Sequence, residues 1–214
     1  MKFFLTIFLL LAGSSISAQK ALTFKEVLKI ANEIIITDSF LIDYSAAEKV
    51  DLDKNTGASF FKIIERKEGD SLEETGYSIA GKITSHKDFD ILLVGTEKSI
   101  VTRSLHDLSA MPVDRSILKE LFFVLLDKEG NYKNKFLAAM DYRKKDYKKN
   151  ITSKISSQVY TDLRIIQHTV TESWPSFLIY MPFAKTDSKA FSFLMEYRIN
   201  DYGVFVAYPK YKKN

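Results

Sequence analysis

The sequence predicts an α+β protein, in which a helical N-terminal region precedes an antiparallel β-meander. Residues 24–36 repeat apolar side chains at spacings of three and four, which is typical of one face of a helix. From Tyr77 onward, about eight or nine short apolar or alternating runs follow one another through polar turns. No long helical stretch separates these runs, so a parallel sheet is not expected. The pattern leaves a sandwich, an open barrel and one bent sheet as alternatives.

The first residues have the order of a secretory signal peptide. Lys2 gives a positive start, Phe3–Ala12 is an apolar run, and small residues follow up to Ala18. The apolar run is shorter than the roughly 20 residues that a membrane-spanning helix needs. We therefore expect cleavage after Ala18 and a secreted or periplasmic chain that begins at Gln19. The composition favours a bacterial source.

Length and composition limit the kind of protein that follows. The chain has 214 residues, a net charge of +4 and no cysteine. Residues 19–214 suit a single globular domain, with a helical or irregular part at 19–75 and the sheet at 76–214. The lack of cysteine excludes disulfides, thiol nucleophiles and thiolate metal sites. No cofactor, nucleic-acid partner or transmembrane segment is predicted for the mature chain.

The N-terminal part contains one well-marked helix. Thr23 and Glu26 have the spacing of a capping box, and the apolar repeat after them predicts a helix over Phe24–Ile36. Ala46–Lys49 and Ser59–Glu65 are further candidate helical turns.

The strands are predicted between turns that contain Gly, Asn, Asp or Pro. The clearest hairpin has its turn at Lys128–Asn131, where a Gly-Asn pair separates two apolar runs. Trp174 and Pro175 are assigned to a loop at Thr171–Ser176. The predicted strands are Tyr77–Ile83, Phe89–Val94, Ser99–Leu105, Leu121–Asp127, Phe136–Asp141, Leu163–Val170, Phe177–Phe183, Ala190–Ile199 and Val204–Tyr208.

Basic residues concentrate between Lys133 and Lys154, where eight lysines or arginines accompany two acids. A solvated loop is one interpretation of this segment. The alternative is a contact with an anionic glycan, an envelope surface or an acidic protein partner. The candidate ligand-binding residues in it are Arg143, Lys144, Lys145, Lys148 and Lys149.

Glu172 and Glu196 are the candidate catalytic residues of a hydrolase. Paired carboxylates cleave glycosidic bonds, and the fold rather than the sequence spacing sets their separation. Trp174 lies beside Glu172 and suits either core packing or a platform on which a sugar stacks.

Metal and nucleophile motifs are incomplete in this chain. Asp51, Asp53 and Asn55 offer oxygen ligands at alternate positions, as at the start of a calcium loop. Lys62 stands where such a loop closes with Glu, so we interpret the segment as a turn and predict no metal. Ser116–Lys119 fits S-x-x-K without its partner motifs. The histidines, His86, His106 and His168, do not have zinc-site spacing.

The sequence therefore predicts a secreted, β-rich, non-enzymatic protein that binds an unknown ligand or supports an envelope assembly. Two alternatives remain. One is a secreted hydrolase that uses carboxylates from the sheet, and the other is a peripheral binder of anionic surfaces through Lys133–Lys154.

Overall fold

A computed structural model describes residues 22–52, 72–84, 86–102, 114–145, 149–175 and 189–209. Over these ranges the chain forms one short helix, α1 (Phe24–Ile30), and ten strands of one open sheet. The strands are β1 (Ser39–Ile42), β2 (Val50–Leu52), β3 (Leu72–Ile83), β4 (Phe89–Thr102), β5 (Asp114–Asp127), β6 (Tyr132–Lys145), β7 (Lys149–Tyr160), β8 (Ile165–Pro175), β9 (Lys189–Ile199) and β10 (Phe205–Pro209). The predicted antiparallel meander is confirmed, and the predicted helical N-terminal region is wrong.

Helix α1 begins at the predicted capping box. The Glu26 amide donates to the Thr23 hydroxyl at 3.2 Å, and the Thr23 amide donates to the Glu26 carboxylate at 2.7 Å. The helix ends at Ile30 rather than Ile36 because the next residues pair with β3. The Ile34 amide donates to the Lys82 carbonyl at 2.7 Å, and β-branched residues such as Ile34 favour this extended path.

Strands β2 to β10 follow one another across the sheet in chain order, and each pairs antiparallel with the next. Strand β1 instead pairs with β7. Strands β6 and β7 pair only from Met140 to Lys145 of β6, and β1 lies beside β7 from Ser157 to Tyr160. The sheet therefore divides at β6, with β2–β6 in one part and β7–β10 with β1 in the other.

Two apolar cores lie on opposite faces of β4 and β5. On the face that we call the helix face, Val27 and Ala31 of the α1 region pack with Leu92 and Val124. The opposite face of β4 and β5 is called the far face. There the two parts of the divided sheet pack against each other. The Phe136 ring lies 6.2 Å from the Phe123 ring and 5.0 Å from the Phe205 ring. Burial on both faces explains the uninterrupted apolar run at 121–126.

Several predicted strands change their bounds. Strand β4 joins the predicted strand at 89–94 to the start of the next one. Strand β8 extends to Pro175, so Trp174 is a strand residue and not a loop residue. Strand β7 replaces part of the predicted basic segment, and β1 and β2 lie where helix or irregular structure was expected. The predicted elements at 59–65 and 177–183 lie outside the described residues.

The predicted hairpin at Lys128–Asn131 joins β5 to β6. Gly130 has a φ of 86°, and the Asn131 amide donates to the Asp127 carboxylate at 2.7 Å. This backbone hydrogen bond, helped by Lys133, holds the pKa of Asp127 well below its usual range.

The described parts of the chain contain no helix that is long and apolar enough to cross a bilayer, since α1, the one helix there, has seven residues.

The turn between β9 and β10 packs against the far-face core. Gly203 has a φ of 74°, and a Cβ atom there would lie 3.1 Å from the Phe89 ring and 3.2 Å from Leu125. We expect Gly203→Ala to lower the free energy of unfolding by roughly 2–3 kcal/mol, since it adds both backbone strain and overpacking. Urea unfolding measures this loss.

The control for this substitution is Gly76→Ala in β3. A Cβ atom at position 76 would lie 3.9 Å from its nearest neighbour, which is an ordinary contact. We expect the free energy of unfolding of this variant to lie within about 0.5 kcal/mol of the wild-type value. Equal losses in both variants would contradict the proposed role of the β9–β10 turn.

Candidate functional site

A cavity of about 450 Å³ opens on the far face, between β4–β6 and the turn that follows β1. This volume lies within the roughly 300–1,000 Å³ that small-ligand sites occupy. The lining is mostly polar and charged. It consists of Tyr44, Ser45, Lys49, Glu97, Ile117, Lys119, Asp141 and Arg143.

The strand register brings the charged lining residues side by side. Glu97 of β4 faces Lys119 of β5, which faces Asp141 of β6. Asp141 in turn faces Lys154 of β7. Residues directly opposite each other share a face of the sheet and lie about 5 Å apart. Negative and positive charges therefore alternate in one row across four strands.

Two ion pairs orient these side chains. The Lys119 Nζ lies 2.7 Å from the Glu97 Oε1. Arg143 donates from Nε and Nη2 to the two Asp141 oxygens at 3.1 and 2.9 Å, and these hydrogen bonds raise the pKa of Arg143. The cation of each pair is at least partly open to solvent, so each pair contributes little to stability. Their main effect is to hold cations and carboxylates around the cavity.

The turn after β1 covers the cavity on the side opposite the strands. Asp43 accepts hydrogen bonds from the Ser45 amide at 2.9 Å and from the Ser45 hydroxyl, and the Ala47 amide donates to the Asp43 carbonyl at 3.2 Å. Burial raises the pKa of Asp43, but the Ser45 hydrogen bonds and the Lys154 charge hold it below its usual value. Ala46–Lys49, a predicted helical turn, forms no helix here.

Two lysine ammonium groups lie within cation–π distance of the Tyr44 ring. The Lys49 Nζ lies 4.2 Å from the ring centroid, and the Lys119 Nζ lies 5.6 Å from it. Lys49 also donates to the Tyr44 and Ala47 carbonyls at 2.6 and 3.0 Å. Burial and then the positive charge of Lys119 lower the pKa of Lys49. The two ammonium groups therefore repel each other, and an anion placed beside them would relieve that repulsion.

The Tyr44 hydroxyl points to the row of charges. It donates to the Glu97 Oε2 at 3.5 Å, which is a long contact, and the residue is only 7% exposed. Burial and then the charge of Glu97 raise the pKa of Tyr44 to about 12. The phenol is therefore protonated at neutral pH and acts as a hydrogen-bond donor rather than as a base.

The predicted basic segment is divided between the two faces of the sheet. Arg143 lines the cavity, and Lys145 shares its face of β6. Lys144 and Lys149 lie on the opposite face, because side chains alternate along a strand. Lys148 lies outside the described residues.

The candidate catalytic carboxylates lie far apart. Glu172 faces Ala190 and Glu196 faces Ile166, so they are six positions apart along neighbouring strands. That separation is about 20 Å, whereas glycosidase carboxylates lie about 5–10 Å apart. Glu196 is paired with Arg198 at 2.9 Å, and Trp174 is half-buried opposite Asn150.

The metal and histidine candidates do not converge. Asp51 is exposed on β2, and its charge helps to raise the pKa of Tyr44 at the cavity. Asp53, Asn55 and His106 lie outside the described residues, which contain no group of three potential metal ligands. His168 hydrogen-bonds with the Ser192 hydroxyl at 2.8 Å, and His86 stacks on Phe89.

No family model, curated protein or solved structure matches this chain. Its function therefore has to be inferred from the cavity itself. The sequence candidates included Arg143, and Lys119 only within the S-x-x-K motif, but missed Tyr44, Lys49 and Glu97. These residues are distant in sequence, and the pairing of strands brings them together. One signal in the sequence could have found part of the site. Side chains alternate between the two faces of a strand, so Ile117 and Lys119 share one face of β5, and Asp141 and Arg143 share one face of β6.

The raised pKa of Tyr44 predicts a loss of stability in alkali. Because the native pKa of about 12 exceeds the 10.0 of a free tyrosine, the stabilisation is complete below pH 10 and is lost as the pH rises towards 12. Over this range we expect the free energy of unfolding to fall by roughly 1–2 kcal/mol more in the wild type than in Tyr44→Phe.

Urea unfolding at three pH values between about 9 and 12 measures this difference. Tyr202→Phe is the control, because Tyr202 is 85% exposed. This substitution should leave the change of the free energy of unfolding with pH as it is in the wild type. Parallel curves for the wild type and Tyr44→Phe would show that Tyr44 does not titrate in this way.

Proposed function

We propose that the protein is an exported, non-enzymatic binding module and that its ligand is a small anion held in the cavity beside Tyr44. The observation that carries this proposal is the pair of ammonium groups on one ring, at 4.2 and 5.6 Å from its centroid. Lys49 is partly buried, and its pKa is lowered by burial and by Lys119. A bound anion would stabilise both cations in a setting that water screens only partly.

The charge of the lining also supports an anionic ligand. Lys49, Lys119 and Arg143 are cations, and Glu97 and Asp141 are anions, so the lining has one net positive charge. Arg143 directs two of its nitrogens to Asp141, which leaves further guanidinium N–H groups for a ligand. Hydrogen bonds between charged partners are among the strongest that a polar site makes.

The same groups favour binding over catalysis. Tyr44 is a protonated donor, since its pKa is raised to about 12. Glu97 and Asp141 are held by ion pairs with Lys119 and Arg143. A general acid or base works best with a pKa near the working pH, and the pKa of Tyr44 lies far above it.

The two alternative functions have less support. A hydrolase that uses Glu172 and Glu196 would need them near one substrate, and the register separates them by six positions. Attachment to an anionic surface through Lys133–Lys154 would need those bases on one face, and strand alternation divides them. Export is supported by the order of residues 1–18.

Anion binding can be tested directly with acetate and inorganic phosphate. We expect both to bind in the millimolar range at low salt, with shifts in the amide NMR signals of the cavity residues. Lys119→Met and Lys49→Met should each weaken binding about tenfold, because each removes one charged partner. Thermal unfolding checks that both variants are folded.

Lys87→Met is the matched control for these variants. Lys87 has a side chain that is 85% exposed and lies in the β3–β4 turn, away from the cavity. We expect it to bind both anions like the wild type. Unsaturable binding, or equal losses in all three variants, would rule out the cavity as an anion site.

Export is tested separately by expressing the full chain in a bacterial host. We expect the protein to be recovered outside the cytoplasm with Gln19 as its first residue. Leu9→Arg should block this processing by interrupting the apolar run, whereas Leu9→Ile should not. Recovery of a soluble cytoplasmic protein that still begins at Met1 would contradict the proposal.

A further inference from the structure

We infer that the ligand of the cavity is a hydroxylated monocarboxylic acid of sugar size, such as a hexuronic acid. This inference rests on the proposed function, because it names the chemical class of the anion held beside Tyr44. Three properties of the lining lead to it, namely its net charge, its hydrogen-bond acceptors and its apolar floor.

The net charge favours a ligand with one negative charge. The three cations of the lining exceed its two carboxylates by one, so a monoanion neutralises the lining. Its carboxylate suits the space beside Lys49 and Lys119, whose ammonium groups lie 4.2 and 5.6 Å from the centroid of the Tyr44 ring. Lys49 donates two hydrogen bonds to backbone carbonyls, and an ammonium group has three donors, so one remains for a ligand.

The carboxylate oxygens of Glu97 and Asp141 favour a ligand that also carries hydroxyl donors. Among the described residues, the Glu97 Oε2 receives only the long 3.5 Å contact from Tyr44. A carboxylate has about four lone-pair sites, so Glu97 and Asp141 can each accept further hydrogen bonds after their ion pairs are made. A simple carboxylic acid offers these oxygens no donor, whereas a sugar acid offers several hydroxyl groups within one ring.

The zwitterion of an amino acid also offers donors, but it fits the charge less well. Its ammonium group would suit Glu97, yet its zero net charge leaves the positive charge of the lining uncompensated. The apolar floor favours a sugar as well. Ile117 is 40% exposed beside the charged row and presents a surface for the C–H face of a ring. The volume of about 450 Å³ leaves room for a sugar-sized ligand.

A panel of four small molecules tests the inference on the purified protein. Glucuronate has the carboxylate and the hydroxyls, acetate has only the carboxylate, glucose has only the hydroxyls, and glycine is the zwitterion. We expect glucuronate to bind at least about tenfold tighter than each of the others, since only it satisfies both kinds of group. Titration followed by amide NMR shifts measures all four dissociation constants.

The acceptor role of Glu97 has its own variant. Glu97→Met removes the oxygens and one negative charge, so we expect acetate to bind as well as before or better. The advantage of glucuronate over acetate should fall about tenfold. Glu97→Gln keeps one acceptor oxygen and should restore part of that advantage. Glu129→Met, in the exposed β5–β6 turn, is the matched control and should keep all of it.

The outcomes separate this inference from the proposed function. If acetate binds in the cavity and glucuronate binds no tighter, the sugar-acid inference is wrong and the anion site stands. If glycine binds tightest, the ligand is a zwitterion and the inference is again wrong. If none of the four binds, both the inference and the proposed function are wrong.

Discussion

The structure depends on the point at which β6 leaves β7. The register of β5 with β6 shifts there, and Ala138 is the extra residue of the bulge. The Leu137 and Ala138 carbonyls are satisfied by side chains instead. The Gln167 side-chain Nε2 donates to the Leu137 carbonyl at 2.7 Å, and the Ser157 hydroxyl donates to the Ala138 carbonyl at 2.5 Å. These bonds meet the rule that buried backbone acceptors find a partner, and they allow the sheet to divide.

The division separates an apolar end of the far face from a polar one. Along β4 this face carries Ile91 and Leu93 and then, after Gly95, the charged Glu97. Gly95 is closely covered by the side chains of Ser78 and Leu121, its partners on β3 and β5, so the change occurs where neighbouring strands fill the space above a glycine. The freed edge of β7 accepts β1, and β1 carries the chain into the turn that holds Tyr44. The core and the cavity therefore follow from one interruption of the ladder.

Local signals in the sequence predicted local structure well. The Thr23 capping box marks the start of α1, and the turn at Lys128–Asn131 marks a real hairpin. The helix end was missed because it is set by pairing with Lys82, which is distant in sequence. Strand β7 was missed because its mixture of Ile, Ser and Lys resembles a polar loop. The site was largely missed for a related reason, since a slip of one residue in register moves every side chain to the other face.

The charged row contributes more to the shape of the site than to the stability of the fold. Exposed ion pairs such as Lys119–Glu97 contribute at most about 1 kcal/mol, and Lys49 beside Lys119 costs part of that gain through repulsion. Apolar residues at these positions would continue the core found farther along β4 and β5. Local choices that oppose stability without an evident gain are typical of functional sites. This imbalance, rather than any sequence motif, is the physical reason for the proposal that the function of the chain lies beside Tyr44.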